Sequence, residues 1–172
     1  MKFIILRLEG PIQSWGERSY WDEKDTANIP TKSGVIGLIA TCLGLKRDDL
    51  KIQEIYDKTT LSIRVDDRGR ILRDYQTIEN TMRADGKINE NMIVSPRFYL
   101  TEASFLCALS VSEEQLFKLI EEKLKCPEWT PYLGRKCCVP SVPIYVGTIE
   151  AKDAKRALSD NRFPIRYYNE PA

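Results

Sequence analysis

The chain contains no histidine. That absence removes the imidazole base, the Ser-His-Asp and Cys-His nucleophile pairs and every His-ligated metal. Cysteine is sparse: Cys42, Cys107, Cys126, Cys137 and Cys138 form an odd set with no C-x-x-C spacing. Without histidine to complete a ligand set, this pattern argues against zinc and fits a reducing cytosol, and no metal or cofactor is expected. No run approaches the ~20 apolar residues of a membrane span. Arg7 and Glu9 interrupt the N-terminal apolar run before a signal-peptide core is complete. The expected location is therefore cytoplasmic, with no membrane partner. An excess of one charge is also missing. Lys+Arg is 26 and Asp+Glu is 25 in 172 residues, a net charge of +1. A whole-surface field for nucleic acid is thereby ruled out, so any such binding must use a local patch.

What remains is the composition of one soluble globular domain, with 42% hydrophobic and 30% charged residues. Phe3 to Leu8 is a short apolar run stopped by Gly10-Pro11 and reads as a central strand. Residues 11–30 read as an ordered loop carrying Gln13, Trp15, Tyr20 and Trp21. Val35, Leu38, Ile39 and Cys42 then recur at helical spacing, with Thr31 or Ser33 as cap and Gly44 past the end. Gly34 and Gly37 inside that helix point to close approach of something to its first turn. A short helix from Asp48 or Asp49 to Tyr56 precedes an alternating strand, Leu61 to Asp66. Residues 70–96 are polar and weakly periodic around Asp85-Gly86. They read as a protruding hairpin, partly mobile until it meets a partner.

Apolar character returns at Phe98, and Ser104 to Leu109 reads as a buried strand. Ser112 and Gln115 have capping-box spacing before a helix whose face is Leu116, Leu119, Ile120 and Leu124. Pro127 stops it. A Pro-rich loop over 128–143 leads to a last strand, Ile144 to Ile149. Ala151 to Leu158 adds a helical turn or two, and 159–172 reads as a tail. The element order is βαββαβ with an inserted hairpin. The expected fold is α+β, ferredoxin-like (RRM-like), as one domain over 1–158.

Four groups of residues have chemistry to offer. Pro30-Thr31-Lys32-Ser33-Gly34 at a helix start is either a phosphate-binding corner or an ordinary cap. Tyr132-Leu133-Gly134-Arg135-Lys136 combines a stacking ring, a glycine that admits a backbone and two cations, which suits single-stranded nucleic acid. The same loop also reads as a solvated charge pair. Arg64, Arg70, Arg73, Tyr75, Arg83, Arg97 and Tyr99 surround the hairpin, where guanidinium groups suit phosphate. Asp66, Asp67, Asp74, Glu79 and Asp85 lie among them, and an ion-paired hairpin is the competing account. The adjacent acids Asp48-Asp49 and Asp66-Asp67 read as caps or solvated charges rather than a metal site. Trp15 and Trp21 are read first as packing residues.

Together these segments resemble one family. They are Leu8 to Gly16, Pro30 to Leu38, Arg73 to Thr77, Arg97 to Phe105, and Pro131 to Cys138 in order. They are similar to the Cas-five family of CRISPR-associated proteins, in its type I-E form, from residue 3 to about 150. The resemblance implies a ferredoxin-like domain with a β-hairpin thumb that caps the 5′ handle of the CRISPR RNA. It implies contacts with the backbone and large subunits of a Cascade complex, and with target DNA only through that complex. It implies no catalytic residue. The alternative, from another branch of the family, is a metal-independent endoribonuclease, for which Tyr132 with Lys136 would have to serve. By carry-over, Lys32, Ser33 and Gly34 sit at the handle-binding helix start. Arg97 and Tyr132 contact or stack a handle nucleotide, and Leu133, Gly134, Arg135 and Lys136 share that loop. Gln13 and Trp15 belong to the N-terminal signature, with Arg64, Arg73 and Tyr75 near the thumb. Members of this form usually continue some tens of residues beyond the length seen here.

Overall fold

A computed structural model describes residues 1–17, 23–89 and 91–167. Tyr20 and Trp21 of the aromatic loop, and residues 168–172 of the expected tail, lie outside these. In chain order the described elements are β1 (Lys2–Glu9), β2 (Ile12–Gln13), α1 (Lys32–Cys42), α2 (Lys51–Lys58), β3 (Thr59–Asp67), β4 (Arg70–Ile78), β5 (Thr81–Met82), β6 (Ile88–Asn89), β7 (Ile93–Thr101), β8 (Ser104–Val111), α3 (Glu114–Lys125), β9 (Tyr145–Glu150) and α4 (Ala154–Leu158).

The result is a mixed α+β fold with antiparallel sheets. A four-stranded sheet has the order β3-β8-β1-β9, with antiparallel neighbours throughout. The apolar run of β1 is continuous because both faces of this strand are covered. Ile4, Leu6 and Leu8 enter a core shared with α1 and α3, whereas Phe3 and Ile5 enter a second core with Leu158 and Phe163. β8 divides the same way, Phe105, Cys107 and Leu109 to the first and Leu106 and Ala108 to the second. Each fully buried large side chain of this kind stabilises the fold by about 1.5–3 kcal/mol.

Beyond the four-stranded sheet, β4 and β7 form a long hairpin, paired from Arg70↔Thr101 to Ile78↔Ile93. β2 joins the base of β7. The tip carries the small β5–β6 pair, where Arg83 N bonds the Lys87 carbonyl across the Asp85-Gly86 turn. Ile71, Tyr75, Met82, Ile88, Met92 and Val94 are all exposed on the hairpin. Among the described residues its ion pairing is Arg83–Asp85, so a heavily ion-paired hairpin is not what forms.

Three local expectations are corrected. α3 has no capping box: its N-cap is Glu113, with no side-chain bond to the helix. Its buried face is Phe117, Ile120 and Leu124, while Leu119 stays 44% exposed. Phe117, Ile120 and Leu124 recur at i, i+3 and i+7 on one face, which leaves Leu119 off it. The residues after α4 are not loose through 166. Phe163 is buried, and Arg64 donates to the carbonyls of Leu158, Phe163 and Pro164. Asp66 is neither a cap nor a solvated charge. It is buried and accepts from Arg7, Arg64 and the Arg166 amide.

Candidate nucleic-acid interface

The α1 N-terminus forms as its sequence dictates. Thr31 is the N-cap, and its hydroxyl accepts from the Gly34 amide at 3.2 Å. Gly34 is required by a neighbour: a Cβ there would lie 2.8 Å from the Trp15 ring. The close approach foreseen at this first turn is thus Trp15 at Gly34, whereas a Cβ at Gly37 would meet nothing within 4 Å among the described residues. Trp15 is 1% exposed, and its indole N–H donates to Gln13 Oε1. The Gln13 amide donates to the Leu8 and Ala103 carbonyls. Gln13 and Trp15 are therefore chiefly the joint between β1, β2 and α1.

The loop over 131–138 docks on this joint. Ser14 N donates to the Leu133 carbonyl, Leu133 N to the Cys138 carbonyl, and Cys138 N to the Arg135 carbonyl. Leu133 is fully buried beneath it. Gly134 has φ +90, and an added Cβ would lie 1.6 Å from the Ser14 carbonyl oxygen. Arg135 stacks over Tyr99 at 4.8 Å and donates to the carbonyls of Phe98, Lys24 and Asp25. Its guanidinium fastens the loop to β7 and to the 24–25 segment.

Between this loop, the first turns of α1 and β7 lies an open groove of about 1410 Å³. It brings together Trp15, Ser33, Gly34, Arg97, Tyr132, Gly134, Arg135 and Lys136 of the expected residues. Sequence reasoning missed Lys24, Lys46, Arg47 and Trp129, which also line it. Trp129 directly precedes the Thr130-Pro131-Tyr132 motif, and Lys46-Arg47 follows the helix end. Neither has a periodic signal of its own. Six cations line the groove (Lys24, Lys46, Arg47, Arg97, Arg135 and Lys136), and among the described residues no carboxylate does. The compensating acids lie elsewhere: Glu54 and Glu113 pair with Lys58, and Glu121 pairs with Lys125. The Lys58 side chain is held charged far above its ordinary range by hydrogen bonds to Glu113 and Glu54.

Two buried polar atoms of groove-lining residues, Ser14 Oγ and Arg97 Nε, have no hydrogen-bond partner among the described residues. Leaving such atoms unpaired costs roughly 1–3 kcal/mol each, so a ligand that reaches them gains what the free protein forgoes. Trp129 is 46% exposed and Tyr132 half-buried, both presenting ring surface to the groove.

The remaining expected residues lie apart. Lys32 rests over the Tyr56 ring at 4.0 Å and faces away from the groove. Arg64 is occupied on the opposite side of the sheet with Asp66 and the backbone after α4. Burial alone would raise the Asp66 carboxyl, but hydrogen bonds and charges of Arg64 and Arg7 outweigh it and hold the carboxyl below its ordinary range. Arg73 and Tyr75 pair across the hairpin with Phe98 and Pro96. That places them on the hairpin face opposite to Arg97, which sits across from Asp74. The sheet face opposite α1 and α3 is covered by α4 and Phe163. The adjacent acids at Asp49 and Asp67 cap local turns, and among the described residues no three-ligand metal cluster occurs. No described helix is long and apolar enough to cross a membrane.

Comparison with known proteins gives the same direction. Residues 3–167 match the family described as CRISPR-associated protein (Cas_Cas5). CRISPR system Cascade subunit CasD of Escherichia coli (strain K12) is 36% identical over 169 residues, covering 91% of this chain and 75% of that protein. A solved chain titled "CRISPR RNA-guided surveillance complex" is 35% identical with a TM-score of 0.74, covering 83% of this chain. A second, "Crystal structure of Cas protein", is 35% identical with a TM-score of 0.68, covering 90% of this chain and 69% of that one. The chain spans 61% of the first solved chain's length. With the family profile matched across nearly all of its residues, this chain belongs to the Cas5 family of CRISPR-associated proteins.

Proposed function

We propose that this chain is a non-catalytic RNA-binding subunit of a Cascade-type CRISPR surveillance complex, working in the cytoplasm. It holds the 5′ handle of the CRISPR RNA in the basic groove. The observation that carries this reading is the groove itself: six cations line it and, among the described residues, no carboxylate is in its lining, with two aromatic residues beside them and, among those residues, unpaired buried atoms at Arg97 and Ser14. Phosphates meet the cations while unstacked bases meet Trp129 and Tyr132. We read residues 1–158 as one ferredoxin-like (RRM-like) domain, a reading supported by the β3-β8-β1-β9 order and the helices between its strands. The thumb over 70–96 bears exposed apolar side chains on a hairpin too slight to be stable alone, which supports docking against a backbone subunit. The large subunit is the further partner, and target DNA is reached only through the complex.

The test is binding of a single-stranded RNA bearing the repeat-derived handle. Arg97→Ala should weaken binding and flatten the log–log salt dependence by about 0.7 for one lost phosphate contact. Tyr132→Ala and Trp129→Ala should each cost about 1–3 kcal/mol of affinity if their rings carry bases. Lys32→Ala should have less effect, because its ammonium sits on Tyr56. Unchanged affinity in the Arg97, Tyr132 and Trp129 variants would instead favour a protein-only role. Site-specific cleavage of repeat RNA without metal, lost in Tyr132→Phe, would overturn the non-catalytic reading.

A further inference from the structure

The loop at the groove edge carries two adjacent thiols that the proposed RNA recognition does not use. Cys137 is exposed and lines the groove, whereas Cys138 is buried. Their sulfurs are 4.0 Å apart, and the Tyr99 hydroxyl lies 3.7 Å from Cys137 Sγ. Of the other three cysteines, Cys42 and Cys107 are buried in the core, where burial pushes their thiols up to about 11 and about 12, and Cys126 is exposed at the end of α3.

We propose that Cys137 and Cys138 form a reversible vicinal disulfide that reshapes the groove loop. The effect on RNA rests on the function proposed above, but the ring and the loop change do not. The co-reactant is a small-molecule disulfide such as oxidised glutathione. The exposed Cys137 thiolate attacks one of its sulfurs, forming a mixed disulfide and releasing one thiolate. The Cys138 sulfur then attacks Cys137 Sγ and displaces the second thiolate. The two leaving thiolates take up the two protons given up by the protein. Two protein thiols lose two electrons in all, and one external disulfide becomes two thiols.

Geometry makes the bond strained and therefore readily reduced. Adjacent Cα atoms are about 3.8 Å apart across a trans peptide, short of the roughly 4.4–6.8 Å usual for a disulfide. Such strain marks labile rather than structural disulfides. Closing the ring must draw the sulfurs together by about half their present separation and twist the peptide between them. That peptide belongs to the turn held by Cys138 N to the Arg135 carbonyl and Leu133 N to the Cys138 carbonyl, both 2.8 Å. Tyr132 and Arg135 are carried on the same turn. Burial pushes the Cys138 thiol up to about 12, with the Cys137 thiol adding to it, so ring closure should quicken as pH rises.

The whole chain is incubated with oxidised glutathione, then digested and weighed. The expected result is loss of two hydrogens from the peptide containing both cysteines, recovered with dithiothreitol. Faster amide exchange at Leu133 and Cys138 should accompany it, and handle-RNA affinity should fall about tenfold, or ~1.4 kcal/mol. In Cys137→Ser the hydrogen loss should vanish, and the ratio of treated to untreated affinity should approach one. A persistent mixed disulfide on Cys137, a dimer linked through Cys137, or a ring that leaves exchange unchanged would each overturn the proposal. Failure of the untreated chain to bind RNA would overturn the groove reading alone, since mass and exchange still report on the ring.

Discussion

Asp66→Asn should destabilise the fold by about 3–5 kcal/mol, the usual cost of removing one partner from a buried ion pair. The Asp66 side chain is fully buried and serves two guanidinium groups, Arg7 at 5% and Arg64 at 19% side-chain exposure. Arg7 has little water to fall back on, and its other acceptors are the Ser104 hydroxyl and the Pro164 carbonyl. Asparagine keeps the shape and removes the charge. Urea unfolding at neutral pH would measure the loss, and a change below about 1 kcal/mol would place the cluster with exposed pairs. The pH dependence carries the same signature. The folded carboxyl titrates below its unfolded value, so its contribution is present above the ordinary carboxylate pKa. It is lost as pH falls through the lowered folded value. The wild-type chain should therefore lose stability on acidification through and below about pH 4, and Asp66→Asn should flatten that fall.

Gly134→Ala should cost about 2–5 kcal/mol, combining left-handed backbone strain with a steric clash. At φ +90 the added carbon would lie 1.6 Å from the Ser14 carbonyl oxygen, which is backbone and can yield only by undocking the loop. Gly86→Ala is the control. Gly86 also has a positive φ, +79, but a Cβ there would meet open space. Its cost should be confined to strain, about 1–2 kcal/mol. Thermal unfolding of both variants separates the two terms. Equal costs would show that the 131–138 loop is not docked on Ser14. The Gly134 variant should also bind handle RNA more weakly, because Tyr132 and Arg135 move with the loop.

Much of the fold was legible because its strands and helices have strong local patterns. β1 reads as a central strand from its unbroken apolar run, and both of its faces are indeed covered. The glycine ending of α1 reads directly from Gly44, whereas the sequence left its cap between Thr31 and Ser33 and the structure chose Thr31. The α3 face was misread because Leu116, Leu119 and Phe117 compete within one turn, and only packing against the sheet chooses among them. Arg64 and Arg97 show the same limit in the candidate site. Both are arginines on strands near the hairpin and look alike in sequence. One is enclosed by Asp66 and the backbone after α4, whereas the other lines the groove with an Nε unpaired among the described residues.

The sequence by itself determined the chemistry this protein lacks, because an absent imidazole is absent in any fold. It also determined the family, since five ordered motifs do not depend on how they meet, although β2 forms where the sequence reads as loop. Charge distribution was left to the tertiary structure. A +1 total says little about place, and folding sends the acids of α2 and α3 to lysines beside them while six cations converge on one groove. That convergence joins residues from 14 to 139 along the chain. It depends on Gly134 closing on Ser14 and Arg135 fastening the loop to β7 and to Lys24, contacts between segments 37 to 120 residues apart that no local pattern encodes.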